Sequence, residues 1–178
     1  MLPALIIGGV CLTGKTTLAK EIERQADFRV QVLEGDEMHT SVAIAKMRAG
    51  EPLDEEDRQV WRDRVGVRIA QRPSDRLRVI TCSALTRYTR DTLRSHGECQ
   101  FIFLMIPRVL AELRAARRLM EDQEHFFQPA KYPKLLDGQY RDLEIPGADE
   151  PDCRVVDGDN LDSVQLAAEL VETYTLAK

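Results

Sequence analysis

The sequence predicts an α/β fold in which helices cover both faces of one parallel sheet. Five short apolar runs recur along the 178 residues, and most are continuous, as in strands that are buried on both faces. Segments with helical spacing separate these runs, and such alternation implies right-handed crossovers between parallel strands. A glycine-rich turn follows the first run. The length fits one domain, so we expect a single domain over 1–178.

The elements follow in order from local patterns. The predicted strands are 3–7, 30–33, 77–82, 101–106 and 154–156. A helix is expected to start after the N-cap residue Asp54, because acidic residues fill its first turn, and to end near Arg72 before a proline. In the last helical segment Val164, Ala167, Ala168 and Val171 have the spacing of a stripe that faces the sheet.

Composition excludes several classes of function. The net charge of −5 argues against binding to nucleic acid, which needs a concentrated basic face. No stretch approaches the roughly 18 apolar residues that a membrane span requires. The N-terminal residues lack the basic region and cleavage site of a signal peptide. We therefore expect a cytoplasmic protein that binds neither nucleic acid nor membrane.

The turn after the first strand has the sequence GVCLTGKT at 9–16, which matches the phosphate-binding P-loop between a strand and a helix. Lys15 is expected to reach the β- and γ-phosphates of ATP, and the Thr16 hydroxyl to coordinate Mg²⁺. Backbone N–H groups of the loop and the start of its helix surround the phosphates. The predicted nucleotide site comprises Gly9, Val10, Cys11, Leu12, Thr13, Gly14, Lys15, Thr16 and Thr17. The chain is thus predicted to be a P-loop NTPase.

Two carboxylates follow the second predicted strand. Glu34 and Asp36 are two residues apart, so both point the same way at the strand's carboxyl end, where ligands of open α/β sheets bind. We predict that Asp36 accepts the proton of the attacking hydroxyl and that Glu34 holds Mg²⁺ through water. Together with the P-loop, this pair indicates a kinase that phosphorylates a small metabolite.

Basic residues predict an anionic acceptor. His39 and Lys46 are seven residues apart on a predicted helix, and Arg58 opens the next helix with Trp61 and Arg62 on the same side. Such a cationic pocket with an aromatic wall suits a polyhydroxy acid. The alternative is that these are surface charges.

Two later segments supply further candidates. Ser83 and Arg87 follow the third strand and are predicted to contact the acceptor. Arg118, on a basic helix, leads into a polar stretch that we interpret as a helical lid over about 118–134. An arginine delivered by a lid can stabilise the transferring phosphoryl group, so Arg118 is a catalytic candidate. A surface helix that carries arginines is the alternative.

With these residues in view, the chain resembles the gluconate kinase family, the thermoresistant gluconokinases. The matching blocks are spread over the chain in the family's order. They are the P-loop, EGDEMH at 34–39, KM at 46–47, GEPL at 50–53, DR at 57–58 with Trp61, TCSAL at 81–85, RD at 90–91, LR at 93–94, HFF at 125–127, and Leu135, Leu136, Gln139, Leu143, Glu144 and Pro146. The resemblance implies a fold like that of nucleoside monophosphate kinases with five parallel strands and a helical lid. It also implies Mg-ATP as donor, 6-phosphogluconate as product and a homodimer.

Some positions differ from the family pattern. The family usually has serine and glycine where Leu12 and Thr13 stand, aspartate at Glu34 and proline at Thr40. We expect Leu12 on the P-loop rim that faces the acceptor. Two other functions remain open: a kinase for shikimate or another sugar acid or polyol, and a regulatory switch that hydrolyses ATP slowly.

Overall fold

The sheet of the computed structural model contains five parallel strands, which confirms the predicted fold class. The structure describes residues 2–49, 51–121 and 132–176. The strands are β1 Ala4–Gly8, β2 Val30–Glu34, β3 Leu77–Thr81, β4 Cys99–Met105 and β5 Cys153–Asp157. Their order in the sheet is β2-β3-β1-β4-β5. The strand that precedes the P-loop therefore lies at the centre, with β3 and β2 on one side of it and β4 and β5 on the other.

Seven helices connect and cover these strands in the described part of the chain. They are α1 Lys15–Ala26, α2 Ser41–Ala49, α3 Glu55–Ala70, α4 Arg87–Ser95, α5 Arg108–Glu121, α6 Tyr132–Arg141 and α7 Ser163–Val171. Short 3-10 turns at Asp27–Arg29 and Gly35–Met38 flank β2, and a π turn at Glu172–Leu176 follows α7. None of the helices that the structure describes is long and apolar enough to cross a membrane.

The central strand β1 is buried on both faces, as its continuous apolar sequence predicts. Leu5 and Ile7 point to the face that α1 and α7 cover, and Ala4 and Ile6 point to the face that α3 and α4 cover. This alternation follows from the two-residue period of a strand. A third apolar cluster lies beyond the end of β4, where Leu136 of α6 packs against α5.

The start of α3 is the predicted one. The Asp54 side chain accepts from the Asp57 backbone N–H, and Asp57 bonds back to the Asp54 backbone, so the two form a capping box. The last helix differs from its prediction, because its buried residues are Leu166, Ala167, Leu170 and Val171. Val164 is instead more than half exposed, and Ala168 is also exposed. The stripe begins two residues later than predicted because Leu166 and Leu170 are the larger apolar side chains.

A buried ion pair ties the segment after α6 to α4. Arg90 donates from Nε to Glu150 Oε2 at 2.8 Å and from Nη2 to Glu150 Oε1 at 2.7 Å. Its Nη1 donates to the carbonyls of Ala84 and Leu85 at 3.1 and 3.0 Å. Arg94 donates to the same carboxylate at 2.8 Å. This network fixes the loop between β3 and α4.

The predicted lid falls largely outside the described residues. Of the stretch 118–134, residues 122–131 are not described. Gly50, in the predicted block at 50–53, is not described either. The block HFF at 125–127 lies outside the described residues as well.

Candidate active site at the carboxyl ends of the strands

A cavity of about 500 Å³ lies at the carboxyl ends of β1, β2 and β3. Its wall includes residues of the P-loop, of the turn after β2, of α3 and of α6. Six of the residues predicted for the site line it, namely Cys11, Lys15, Asp36, His39, Arg58 and Ser83. The structure thus brings donor-side and acceptor-side candidates to one space.

Two glycines determine the backbone conformation of the P-loop. Gly9 has a φ of +130°, and a Cβ atom there would lie 2.3 Å from the Leu104 carbonyl oxygen. Gly14 has a φ of +102° directly before α1. Side chains rarely adopt such backbone angles, so glycine is required at both positions. The loop can therefore turn sharply out of β1 and present its N–H groups at the start of α1.

Lys15 lies inside the loop. Its Nζ donates to the Val10 carbonyl at 2.6 Å, and burial lowers the pKa of its ammonium group. The negative charges of Asp36 and Glu34 act in the opposite direction and raise this pKa. A phosphate oxygen would likewise favour the charged form, because an opposite charge nearby stabilises it.

The predicted metal-binding residues are adjacent. The Thr16 hydroxyl donates to Glu34 Oε2 at 3.5 Å, and the Thr81 hydroxyl donates to the same oxygen. Hydroxyl and carboxylate oxygens are the hard ligands that Mg²⁺ prefers, usually with several of its own waters. These residues therefore fit a Mg²⁺ ion that is bound mainly through nucleotide and water.

Asp36 is held at the cavity rim by the turn that contains it. A Cβ atom on Gly35 would lie 2.5 Å from the Thr81 carbonyl oxygen, so the turn packs directly on β3. The Trp61 indole N–H donates to the Gly35 carbonyl at 2.8 Å. Asp36 itself is exposed and lines the cavity with Lys15. Its carboxylate is therefore accessible from the cavity and acts electrostatically on Lys15.

His39 stacks on Trp61, with ring centroids 5.5 Å apart and an interplanar angle of 14°. Burial lowers the pKa of its imidazole, while the charges of Asp36 and Asp57 oppose this effect. Within the described residues its buried Nδ1 atom has no hydrogen-bond partner. His39 is therefore suited to contact the acceptor as a neutral group.

Arginines of α3 form the basic wall. Arg58 Nη1 donates to Asp142 Oδ2 at 3.3 Å, so this wall is tied to the segment after α6. The Arg62 side chain is only 3% exposed, and its guanidinium lies 4.8 Å from the centroid of the Tyr88 ring. Both arginines line the cavity. Arg62 is held by Glu55 and Gln59, and both arginines bring positive charge to the cavity.

Lys46 and Arg87 do not line the cavity, contrary to expectation. The prediction placed His39 and Lys46 on one helix, but α2 begins at Ser41 and His39 precedes it in extended backbone. The Lys46 ammonium instead donates to Asp54 and Asp57 at 2.8 and 2.5 Å. Arg87 donates to Asp149 at 2.5 Å, and it also pairs with a carboxylate one turn along α4. These carboxylates, which spacing alone did not reveal, hold both cations elsewhere.

Leu12, which was expected on the rim that faces the acceptor, is not among the cavity-lining residues either. Leu12 has a φ of +67°, and its side chain packs against the third apolar cluster. Its carbonyl accepts from Arg114 Nη1 at 3.0 Å, which fastens the loop to α5. The neighbouring Cys11 faces the cavity instead. Arg118 lies exposed on α5, where its positive charge acts on the Cys11 thiol.

Helix α6 contributes residues that no local pattern indicated. Asp137, Gln139 and Arg141 line the cavity, and Gln139 Oε1 accepts from the Cys11 backbone N–H at 2.6 Å. Gln139 belongs to a block of the family resemblance, but its type and spacing suggest no role. Its contact with the P-loop spans 128 positions of the chain and becomes visible only in the folded protein.

Comparison with known proteins agrees with this geometry. The chain is 36% identical over 159 residues to a gluconokinase of Gluconobacter oxydans, which covers 85% of this chain and 80% of the relative. It is 34% identical over 156 residues to the thermoresistant gluconokinase of Escherichia coli, covering 86% and 83% respectively. The crystal structure of a gluconokinase from Sinorhizobium meliloti superimposes with a TM-score of 0.77 at 30% identity and covers 96% of this chain and 94% of that one. No protein-family model matches the chain.

Proposed function

Because the chain belongs to the gluconokinase family, we propose that it transfers the γ-phosphoryl group of ATP to the terminal hydroxyl of D-gluconate. The products are 6-phospho-D-gluconate and ADP. One observation carries this proposal: Lys15 and Asp36 line the same cavity as Arg58 and Arg62. A phosphate-binding cation, a base and an anion-binding wall thus share one space.

The donor side is proposed to bind ATP through the P-loop. Backbone N–H groups between Gly9 and Gly14 and the start of α1 would surround the phosphates, and Lys15 would exchange the Val10 carbonyl for phosphate oxygens. Thr16 and Glu34 would hold Mg²⁺, directly and through water. When bound, this ion would neutralise charge on the phosphate oxygens.

The composition of the cavity wall supports a polyhydroxy acid as acceptor. Arg58 can bind a carboxylate in two-pronged fashion, since the guanidinium is planar, and the buried Arg62, which Glu55 and Gln59 hold in place, adds positive charge beside it. Asp137 and Asp142 lie on the same wall and can accept hydrogen bonds from hydroxyl groups. An acceptor with one carboxylate and several hydroxyls satisfies both kinds of residue.

In the proposed reaction the acceptor hydroxyl oxygen attacks the γ-phosphorus. The bond between the γ-phosphorus and the oxygen that bridges it to ADP breaks, and ADP leaves with that electron pair. Asp36 takes the hydroxyl proton. Lys15 and Arg118 would stabilise the charge on the transferring group. The role of Arg118 rests on its place on α5, from which its positive charge acts on Cys11 of the P-loop.

A coupled assay of ADP release tests the function with a panel of acceptors. We expect D-gluconate to give the highest kcat/KM, and shikimate and neutral polyols to give little turnover. If another acid turned over while gluconate gave only the background ATPase rate, the substrate assignment would be wrong. If no acceptor stimulated turnover, the regulatory-switch alternative would be supported instead.

The homodimer that the resemblance implies is also part of the proposal. Light scattering coupled to size-exclusion chromatography measures the mass of the assembly directly. A mass of twice the 20.2 kDa chain is expected, and the mass of a single chain would contradict a stable dimer.

A further inference from the structure

The P-loop is hydrogen-bonded to a helix that lies far along the chain. The Cys11 backbone N–H donates to Gln139 Oε1 at 2.6 Å, and both residues line the cavity. Cys11 is the third residue of the loop 9–16, whose N–H groups serve to bind phosphate. A neutral carboxamide oxygen therefore lies on a donor that belongs to the phosphate-binding loop.

This acceptor differs from the others in the same part of the loop. The Val10 carbonyl accepts both from Lys15 at 2.6 Å and from the Thr13 hydroxyl at 3.0 Å, so these bonds stay within the loop. The Cys11 N–H is instead bonded to a side chain of another helix, as the Leu12 carbonyl is to Arg114. Hydrogen bonds to charged acceptors are roughly twice as strong as neutral ones. A phosphate oxygen can therefore displace the Gln139 carboxamide.

Helix α6 also reaches the acceptor side of the cavity. Asp137 and Arg141 line the cavity on either side of Gln139. Asp142, which follows the helix, accepts from Arg58 Nη1 at 3.3 Å. One helix thus contacts the donor loop and the acceptor wall, so a shift at Gln139 also moves the residues beside it.

The opposite side of α6 is held independently of the P-loop. The Tyr140 hydroxyl donates to the Ile106 carbonyl at 2.9 Å. Leu136 is buried in the third apolar cluster. Asp137, at the cavity, also pairs with Arg108 of α5. These contacts keep the helix docked when the bond between Gln139 and Cys11 breaks.

We propose that Gln139 is a positioning residue that couples the binding of nucleotide to the binding of acceptor. In the free protein its carboxamide oxygen competes with a nucleotide phosphate for the Cys11 N–H. When the phosphate binds, Gln139 is released, and the cavity side of α6 with Arg141 settles on the acceptor while Tyr140 and Leu136 hold the opposite side. The proposal rests on the phosphotransfer proposed above. By linkage, acceptor binding in turn strengthens nucleotide binding by the same factor.

Binding of a non-hydrolysable ATP analogue without acceptor tests the competition. In Gln139→Leu the competing oxygen is gone, so we expect about three- to tenfold tighter binding by isothermal titration calorimetry, the worth of one neutral hydrogen bond. In Gln139→Glu a negative charge lies beside the phosphates, and binding should weaken at least about tenfold. Tyr140→Phe is the matched control, since it removes a hydrogen bond of α6 away from the loop and should stay within about twofold.

Steady-state kinetics test the coupling. In the wild type the KM for gluconate should fall as the ATP concentration rises, whereas in Gln139→Leu it should no longer depend on ATP. Equal affinity of the wild type and Gln139→Leu for the analogue would overturn the competition, and an unchanged dependence on ATP would overturn the coupling. The calorimetric arm needs no acceptor, so a failure of gluconate as substrate is seen separately.

Discussion

Arg90 and Glu150 form a two-pronged ion pair inside the protein, where their side chains are 1% and 3% exposed. The same guanidinium bonds the carbonyls of Ala84 and Leu85. Ser83 and Leu85 of this loop line the cavity. A pair that is remote from the reacting atoms therefore sets the shape of one cavity wall.

Replacing Glu150 with glutamine should destabilise the fold by about 3–5 kcal/mol, because it leaves the buried Arg90 charge without its counter-ion. Urea denaturation measures the free energy of unfolding. Glu169→Gln is the matched control, since Glu169 pairs with Arg154 at the surface with both side chains about half exposed, and it should cost less than about 1 kcal/mol. An equal decrease in the free energy of unfolding in the two variants would mean that the buried ion pair stabilises the fold no more than the surface pair does.

The same carboxylate makes stability depend on pH. The hydrogen bond from Arg90 lowers the pKa of Glu150 from 4.5 to about 2. The unfolded chain therefore binds more protons between these pH values, and the free energy of unfolding falls as the pH drops through them. The wild type should have a higher free energy of unfolding than Glu150→Gln at pH 7. At pH 3 this difference should be smaller by about 2 kcal/mol. A constant difference between the two proteins over this range would contradict the assignment.

Asp36→Asn should lower kcat by about 10²- to 10⁴-fold, because the amide cannot take the proton of the acceptor hydroxyl. Affinity for a non-hydrolysable ATP analogue should change by less than about threefold, since the P-loop is intact. Glu37→Gln is the control, as Glu37 is exposed beside Asp36 and is not among the cavity-lining residues. If Asp36→Asn kept near-normal kcat, another group would have to be the base.

A comparison of Arg58 with Lys46 tests acceptor binding. The sequence predicted that both residues bind the acceptor, but of the two only Arg58 lines the cavity. Arg58→Met should raise the KM for gluconate by about 10- to 100-fold, because it removes a charge-assisted hydrogen bond. Lys46→Met should change this KM by less than about threefold, as Lys46 bonds the cap of α3. A similar rise of the KM for gluconate in both variants would mean that Lys46 also contacts the acceptor.

Much of this architecture was predictable because it depends on local sequence. The continuous apolar runs specify buried parallel strands, and the P-loop motif specifies the turn after β1. The spacing of Glu34 and Asp36 placed both near the end of β2, and the structure has Glu34 as the last residue of the strand and Asp36 in the turn that follows. To predict these features it is enough to locate a strand and the turn that follows it.

Other features depend on partners that are distant in sequence. Lys46 turns away from the cavity because α2 begins only after Thr40, whose hydroxyl accepts from the Ala43 N–H, and because Asp57 of the next helix attracts it. Arg87 is held by Asp149, 62 positions away. The contact between Gln139 and the P-loop likewise requires α6 to be docked. Local spacing carries no information about such contacts.

The stacked pair of Trp61 and His39 gives the protein an optical probe of its own site. Trp61 is the single tryptophan of the chain, and its indole bonds the turn that carries Asp36. All tryptophan fluorescence of the protein therefore originates in the wall of the proposed acceptor cavity. Emission will report the arrival of an acceptor, without any label, and the protonation of His39, whose pKa burial lowers. Rapid-mixing experiments can thus follow acceptor binding in the unmodified protein.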